Sequence, residues 1–342
     1  MTHTLTRIGI VGLGRLGKIH TQTLVEKLPN ASVTAIFSPE EVALDFLTLE
    51  HETVPFFSDY EEFLSSSLMD AIVICSPSSY HCQQLSEAVA LGYPVFCEKP
   101  IGLNIDEVLT VKKQVDDTPN AFVMLGMMRR YDPSYRYAKE LVDTGQIGEL
   151  TYIRNYSIDP ANQLTDFIRF AKNHNSGGIF LDMGIHDIDL IRWFTQQEFS
   201  RVWCHELPSS VPTFSSLNES ETAMGSLTLK NGIGASLLLG RNSVHGYHVE
   251  TELIGTNGII RIGSVPEKNL VSVFTLNGVL RPCSQSFSER FEIAYVEEIK
   301  AFIQAVQQGE ASPISVEDGL NSLKVAIACQ RSMKKGQLIT LN

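Results

Sequence analysis

Residues 7–17 read RIGIVGLGRLG. The run Ile8 to Val11 has the look of a short buried strand, and it leads straight into Gly12-Leu13-Gly14-Arg15-Leu16-Gly17, a G-x-G-x-x-G spacing that opens a helical pattern over 15–28. In that spacing the first glycine permits a tight turn, the second lets the backbone approach a pyrophosphate, and the third lets helix and strand pack closely. The motif alone is a weak signal. Between a strand and a helix, inside a βαβ unit, it predicts a dinucleotide site.

Working outward, short apolar runs at 33–37, 71–75, 95–96 and 121–125 read as further buried strands, and 39–50, 80–91 and 104–116 read as helices between them. Ser58 with Glu61 and Asn104 with Glu107 have capping-box spacing, and Gly92 sits where a left-handed C-terminal cap belongs. This alternation predicts a Rossmann-type, doubly wound parallel sheet over residues 1–126. Ser38 ends the second strand where an acid would bind the adenosine ribose. No Lys or Arg follows to receive a 2′-phosphate, and Glu40 and Glu41 would repel one, so NAD is expected over NADP. Ligands of such sheets lie beyond the carboxyl ends of the strands. Two of those ends stand out: Cys75-Ser76-Pro77-Ser78-Ser79, and Cys97-Glu98-Lys99-Pro100, where a cis proline would hold the lysine in one direction. The competing reading of Glu98-Lys99 is a solvated charge pair.

From Met127 the pattern changes. Asp132 and Pro133 start a helix that Gly145 ends. Alternating segments follow at 222–229, 234–240, 248–254, 258–262, 270–275 and 278–281, with turn signals at Asn231-Gly232 and Asn277-Gly278, then helices near 290–308 and 316–335. Residues 127–342 are expected to form an α+β domain with a large, mainly antiparallel open sheet, and the cleft between the domains is the expected site.

Between helix and sheet lies GIFLDMGIHDIDLIRWF, residues 178–194, apolar almost all round. Asp182, His186 and Asp189 fall at i, i+4 and i+7 and would form one stripe on an α-helix. Asp182 would then hydrogen-bond His186 and leave its second nitrogen as a proton acceptor. The alternative is a core histidine satisfied within its own helix. Asp189 reads equally as a partner of Arg192.

The chain has 342 residues, 43% apolar and 19% charged, and a net charge of -12, which argues against nucleic acid or an anionic membrane as partner. Its six cysteines are scattered and read as reduced. Arg7 interrupts any signal-like apolar run near the N-terminus, no stretch reaches the ~18 apolar residues of a membrane span, and a cytoplasmic protein is expected. His186 lacks a second histidine at ligand spacing, so no metal is expected.

Taken together, the glycine turn followed by His20, the Glu98-Lys99-Pro100 tripeptide, Met128-Arg129-Arg130-Tyr131-Asp132-Pro133, and Gly177-Gly178 leading to Asp182-Met183-x-Ile185-His186-Asp187-x-Asp189 resemble the Gfo/Idh/MocA oxidoreductases, and within them the inositol 2-dehydrogenases. The resemblance covers essentially the whole chain. It implies Lys99, Asp182 and His186 as the catalytic group, Arg129 near the substrate, and dimer or tetramer contacts through the C-terminal sheet. The expected cofactor contacts are Gly12, Gly14, Arg15, Leu16, Gly17, Ser38, Ser76, Pro77, His81, Glu98 and Lys99. The expected substrate contacts are Lys99, Met128, Arg129, Asp159, Asp182, His186 and Tyr247, with His245 a further candidate. The implied reaction is NAD-dependent hydride transfer from a secondary hydroxyl of a cyclic polyol, myo-inositol first, with scyllo-inositol or another sugar as alternatives. A dinucleotide-sensing regulator is the rival of another class, and retention of Lys99, Asp182 and His186 together counts against it. Two departures bear on the substrate. Ser157-Ile158-Asp159-Pro160 lacks an arginine those dehydrogenases carry, and the link over 162–175 is longer. Either Lys99 or His186 would take the hydroxyl proton.

Overall fold

In a computed structural model of the chain, which describes residues 5–39, 54–217 and 219–341, the opening run becomes β1 (Thr6–Val11), buried except at Arg7. Then come α1 (Arg15–Lys27), β2 (Ala31–Phe37), β3 (Phe56–Phe57), α2 (Tyr60–Ser65), β4 (Ala71–Ile74), α3 (His81–Ala90), β5 (Val95–Glu98), α4 (Ile105–Asp117) and β6 (Val123–Gly126). The strands form one sheet in the order β3-β2-β1-β4-β5-β6, parallel throughout. That is the doubly wound order, with its switch point between β1 and β4. The 39–50 helix, with Glu40 and Glu41, lies outside the described residues.

Asn104 caps α4 as the spacing predicted, accepting from the Asp106 and Glu107 amides. The cap of α2 is one residue later than read from sequence: Asp59, not Ser58, accepts from the Glu62 amide at 2.9 Å. Both residues are good caps, and the choice falls to the one whose carboxylate meets the first turn.

The chain divides into two units, one of residues 1–131 with 293–321, the other of 132–292 with 322–342. A single cut after residue 126 misses this return. Its cause is aromatic packing: Phe302 meets Phe96 and Phe122, and Tyr295 stands edge-on to His20. The Leu125 amide also donates to the Ile314 carbonyl at 3.0 Å.

The second unit begins with α5 (Pro133–Asp143), capped by Asp132 and led by Pro133. It continues through β7 (Leu150–Pro160), α6 (Leu164–Asn173), α7 (Ile185–Thr195), β8 (Phe199–Glu206), α8 (Thr213–Leu217), β9 (Thr222–Leu229), β10 (Gly234–Ser243), β11 (His248–Gly255), β12 (Ile259–Ile262), β13 (Val273–Thr275), β14 (Gly278–Leu280), α9 (Phe287–Arg290) and the close of α11 (Val316–Lys335), which follows α10 (Glu292–Gln308), to β15 (Ile339–Thr340). Seven strands pair in the order β12-β11-β7-β10-β9-β8-β15. Only β7 and β10 run parallel; the rest are antiparallel. Alternating burial along β9 and β10 gives the sheet one inward face. The segment over 162–175 contains α6, an amphipathic helix with no fully buried residue.

The glycine turn is sterically specified. Gly12 has φ +88, and a Cβ there would press on the Ser76 backbone. A Cβ on Gly17 would overlap the Gly12 carbonyl oxygen. Gly17→Ala should therefore cost about 1–3 kcal/mol of stability, the usual size of an overpacking penalty, and weaken NAD binding. Thermal unfolding and calorimetry with NAD check this, and a wild-type midpoint and affinity would refute it.

Candidate active site

Each unit carries its own part of the expected set. In the first, Gly14 is exposed and nothing stands within 4 Å of where its Cβ would be. Helix α1 starts at that glycine with no side-chain cap and no acid in its first turn. Open space over uncapped amides at a helix N-terminus is what a pyrophosphate requires. Arg15 is exposed and Leu16 half-buried beside it. Ser38 is buried just after β2, its amide held by the Phe57 carbonyl. The Ser76 hydroxyl donates to Gln84 at 2.5 Å, and Pro77 follows half-buried.

His81 is fully buried, with Nδ1 2.8 Å from the Pro100 carbonyl and Nε2 2.8 Å from the Ser76 carbonyl. It braces the two strand-end loops against each other. A neutral imidazole can donate to only one of two carbonyls. The charged form could donate to both, yet burial pushes the His81 pKa down.

Glu98 is not a solvated partner of Lys99. It is 4% exposed and lies 2.8 Å from Nε2 of His20, which is fully buried. His20 Nδ1 has no hydrogen-bond partner among the described residues, so the proton belongs on Nε2, donated to Glu98. The second Glu98 oxygen accepts from the Lys99 backbone amide at 3.2 Å. Glu298 completes a buried group whose imidazole and carboxylate atoms lie within 4.8 Å of one another. Lys99 itself is half-buried, and its bond to Pro100 is cis. Met128 and Arg129 are buried on a 3₁₀ turn over Met128–Tyr131, whereas Arg130 pairs with Asp318 at 3.1 Å. The two arginines therefore diverge, as adjacency requires.

In the second unit, the stretch over 178–194 is not one α-helix. Residues Phe180–Gly184 form a π-helical turn that passes into α7. The expected stripe is accordingly broken. Asp182 keeps a side chain 31% exposed, His186 is nearly buried, and Asp189 is 1% exposed. Arg192 forks onto Glu198 at 2.7 and 3.0 Å. Asp187, quoted within the motif but given no role there, is fully buried. Its Oδ1 accepts from the Ser157 hydroxyl at 3.0 Å and its carbonyl from the Asn155 amide at 3.3 Å.

The largest omission from the sequence reading is Arg241. Its guanidinium donates to Asp182 Oδ2 at 2.7 Å, sits 3.6 Å from Asp159 Oδ2, and lies 3.5 Å over the Phe167 ring. A cation thus stands beside Asp159 although Ile158, just before it, supplies none. The signal was available: on β10 the inward phase runs Ala235, Leu237, Leu239, Arg241, and a charge at an inward position demands a partner. Ending that strand at residue 240 concealed it. Tyr247 is buried, edge-on to Phe291 at 6.1 Å. His245 is exposed and within 3.0 Å of His248. Burial raises the pKa of Glu219, against the hydrogen bond from Ser176 and the attraction of Arg241.

A glycine-turn nucleotide unit, followed by a sheet unit that offers a carboxylate held by a cation and a buried imidazole, defines a nucleotide-dependent oxidoreductase. Comparison with known proteins makes this specific. Residues 6–126 match the oxidoreductase family with an NAD-binding Rossmann fold, and residues 135–261 match the GFO/IDH/MocA C-terminal domain. The chain is 31% identical to myo-inositol 2-dehydrogenase of Thermotoga maritima over 98% of both chains. It is 44% identical to scyllo-inositol dehydrogenase from Lactobacillus casei, solved with NAD(H) and scyllo-inositol, over 98% of this chain and 99% of that one, with a TM-score of 0.94. The myo-inositol 2-dehydrogenase structure from Lactobacillus plantarum is 39% identical over 99% and 100%, also with a TM-score of 0.94. The chain belongs to the Gfo/Idh/MocA family of oxidoreductases, and its cofactor is NAD.

The buried His81 gives a pH prediction. The folded protein holds its pKa below the unfolded value of about 6.5, so the unfolded chain protonates first. The stability this contributes is present above that pH and is lost as pH falls through the folded pKa, by up to about 1.4 kcal/mol per pH unit. His81→Gln should flatten the fall of the thermal midpoint between about pH 6.5 and 5. The same slope in wild type and variant would refute the assignment.

Proposed function

We propose that the chain is an inositol 2-dehydrogenase that oxidises one secondary ring hydroxyl to a ketone. The observation that carries this reading is the Asp182–Arg241 pair one turn from His186, on a chain that also carries Lys99 at the end of β5 in the glycine-turn unit. The 44% identical relative bears scyllo-inositol, which favours that isomer over myo-inositol. NAD, bound over Gly12, Gly14 and Gly17, supplies the hydride acceptor.

His186 acts as the general base. Its buried imidazole takes the hydroxyl proton, and the Asp182 carboxylate stabilises the positive charge that results. Lys99 places an ammonium at the reacting oxygen and stabilises developing negative charge; its backbone is held through Glu98 by His20. Asp159, Arg129, Met128 and Tyr247 complete the substrate contacts. A sensor would need no such proton path.

We further assign the protein to the cytoplasm, as a homotetramer serving inositol breakdown. Six free cysteines suit a reducing compartment. Leu270, Phe274, Leu276 and Leu280, around and within the β13–β14 hairpin, are exposed apolar side chains, the surface that a second copy of the chain would cover.

His186→Ala should lower kcat about a hundredfold or more, the usual share of acid–base catalysis, with NAD affinity nearly intact. The assay follows reduced nicotinamide with scyllo-inositol, myo-inositol, chiro-inositol and glucose. An unchanged kcat removes the base assignment, and turnover of glucose alone removes the substrate. Phe274→Asp with Leu276→Asp should reduce the particle mass measured by light scattering; an unaltered mass removes the hairpin from the interface.

A further inference from the structure

Arg241 is unusual for a residue on a strand. Its side chain is 3% exposed, and its Nε has no hydrogen-bond partner among the described residues. Strand β10 pairs in parallel with β7 through Gly240 opposite Ile158, then slips so that Ser243 faces Pro160. One extra residue on β10 makes a bulge at Arg241 and Asn242. Bulges of this kind bend a strand and re-aim a side chain. Here the bulge sets Arg241 beside Asp159, which is at the inward end of β7.

The guanidinium is fixed from three directions. Asp182 and Asp159 take its terminal nitrogens. Phe167 of α6 covers its face and is itself stacked on the buried Phe214, with ring centroids 6.0 Å apart and planes at 12°. Glu219 adds a third carboxylate in its field. A flat cation against an aromatic face has little freedom to turn. The carboxylates it holds are acceptors only, and those of Asp159 and Asp182 remain about one-third exposed, at 32% and 31%. Two acceptors at a fixed separation form a gauge for hydroxyl groups. A polyol with hydroxyls at matching positions satisfies both, and an epimer leaves one carboxylate desolvated and unmet.

We propose that Arg241, clamped on Phe167, is the specificity-determining residue of the second unit, fixing Asp159 and Asp182 so that their spacing selects among epimers of a ring polyol. The assignment rests on the reading under Proposed function that Asp159 meets the polyol and Asp182 lies at the reacting site beside His186, and adds a substrate hydroxyl to what Asp182 accepts. It also accounts for the segment over 162–175, which brings one aromatic ring over one cation. Arg241 acts through the carboxylates and is a positioning residue.

The test uses the full chain with NAD and the variants Arg241→Lys, Arg241→Met, Phe167→Leu and Phe167→Tyr. Steady-state kcat and KM are measured on scyllo-, myo- and chiro-inositol, with NAD affinity and thermal midpoint beside them. In Arg241→Lys and Phe167→Leu the ratio of kcat/KM between the best and the next isomer should fall about tenfold or more, carried mainly by KM, while NAD affinity stays at the wild-type value. Phe167→Tyr keeps the aromatic face and should keep the ratio. If Arg241→Met fails to fold, the lysine and leucine variants still decide. Folded, NAD-binding variants that lose rate equally on every isomer, or keep the wild-type ratio, overturn the proposal and leave the proposed reaction standing. Wild-type protein that turns over none of the polyols overturns the reading beneath it, and the assignment falls with it.

Discussion

The second unit depends on a polar contact inside an apolar interface. Helix α7 is buried nearly all round, and a helix with no polar face has no preferred rotation against a sheet. Asp187 supplies the preference. Its carboxylate and carbonyl meet Ser157 and Asn155 on the inward phase of β7. A carboxylate buried without partners would cost several kcal/mol, so a rotation or slip of the helix that loses these bonds is heavily penalised. Packing tightens the same choice. Gly184 lies where a Cβ would stand 2.8 Å from Leu239, so only glycine lets the turn come so close to β10. With rotation and depth set, Asp182 meets Arg241 at the ends of β7 and β10.

The same logic operates around Lys99. Its ammonium invites a reading as half of a surface ion pair, yet Glu98 spends one oxygen on His20 and the other on the Lys99 backbone amide. The lysine main chain is thereby tied to β5. His81 acts comparably from the other side by bridging the Pro100 and Ser76 carbonyls. Buried cysteines fill the space between as small apolar groups. Burial pushes the Cys75 and Cys97 thiols well above their ordinary range, and that of Cys82 to about 11, which keeps them protonated and unreactive.

How much of this was legible in the sequence follows from the range of the interactions. The glycine turn, the Asn104 and Asp132 caps and the strand–helix alternation are set by neighbours within a few residues, and they were readable. The pairing of His20 with Glu98 spans 78 residues, and that of Asp182 with Arg241 spans 59. No local pattern reports either. Strand β8 was missed because FSRVWCHE mixes charge and aromatics at positions that become intelligible only beside β9 and β15. The return of residues 293–321 was missed because an amphipathic helix states that it has an apolar face and not which core receives it. Asp182 and His186 stood out by their spacing and Lys99 through a motif resemblance, while Arg241 was passed over because β10 was ended one residue short of it.

The π-helical turn at Phe180–Gly184 explains why the spacing of acid and imidazole was only half informative. On a regular α-helix, residues four apart are offset from each other, and a residue seven along returns to the first one's face. A π turn bonds i to i+5 and takes in one more residue per turn. The even i, i+4, i+7 stripe of a regular α-helix is therefore lost, and the exposures differ accordingly: Asp182 is about one-third exposed while Asp189 is buried. The turn is entered through Gly177 and Gly178, both at positive φ, and left through Gly184 against Leu239. Glycine at those three places therefore does for the helix what Gly12 and Gly17 do for the nucleotide loop. It admits backbone where a side chain would not fit, and so decides which polar groups come within reach of one another.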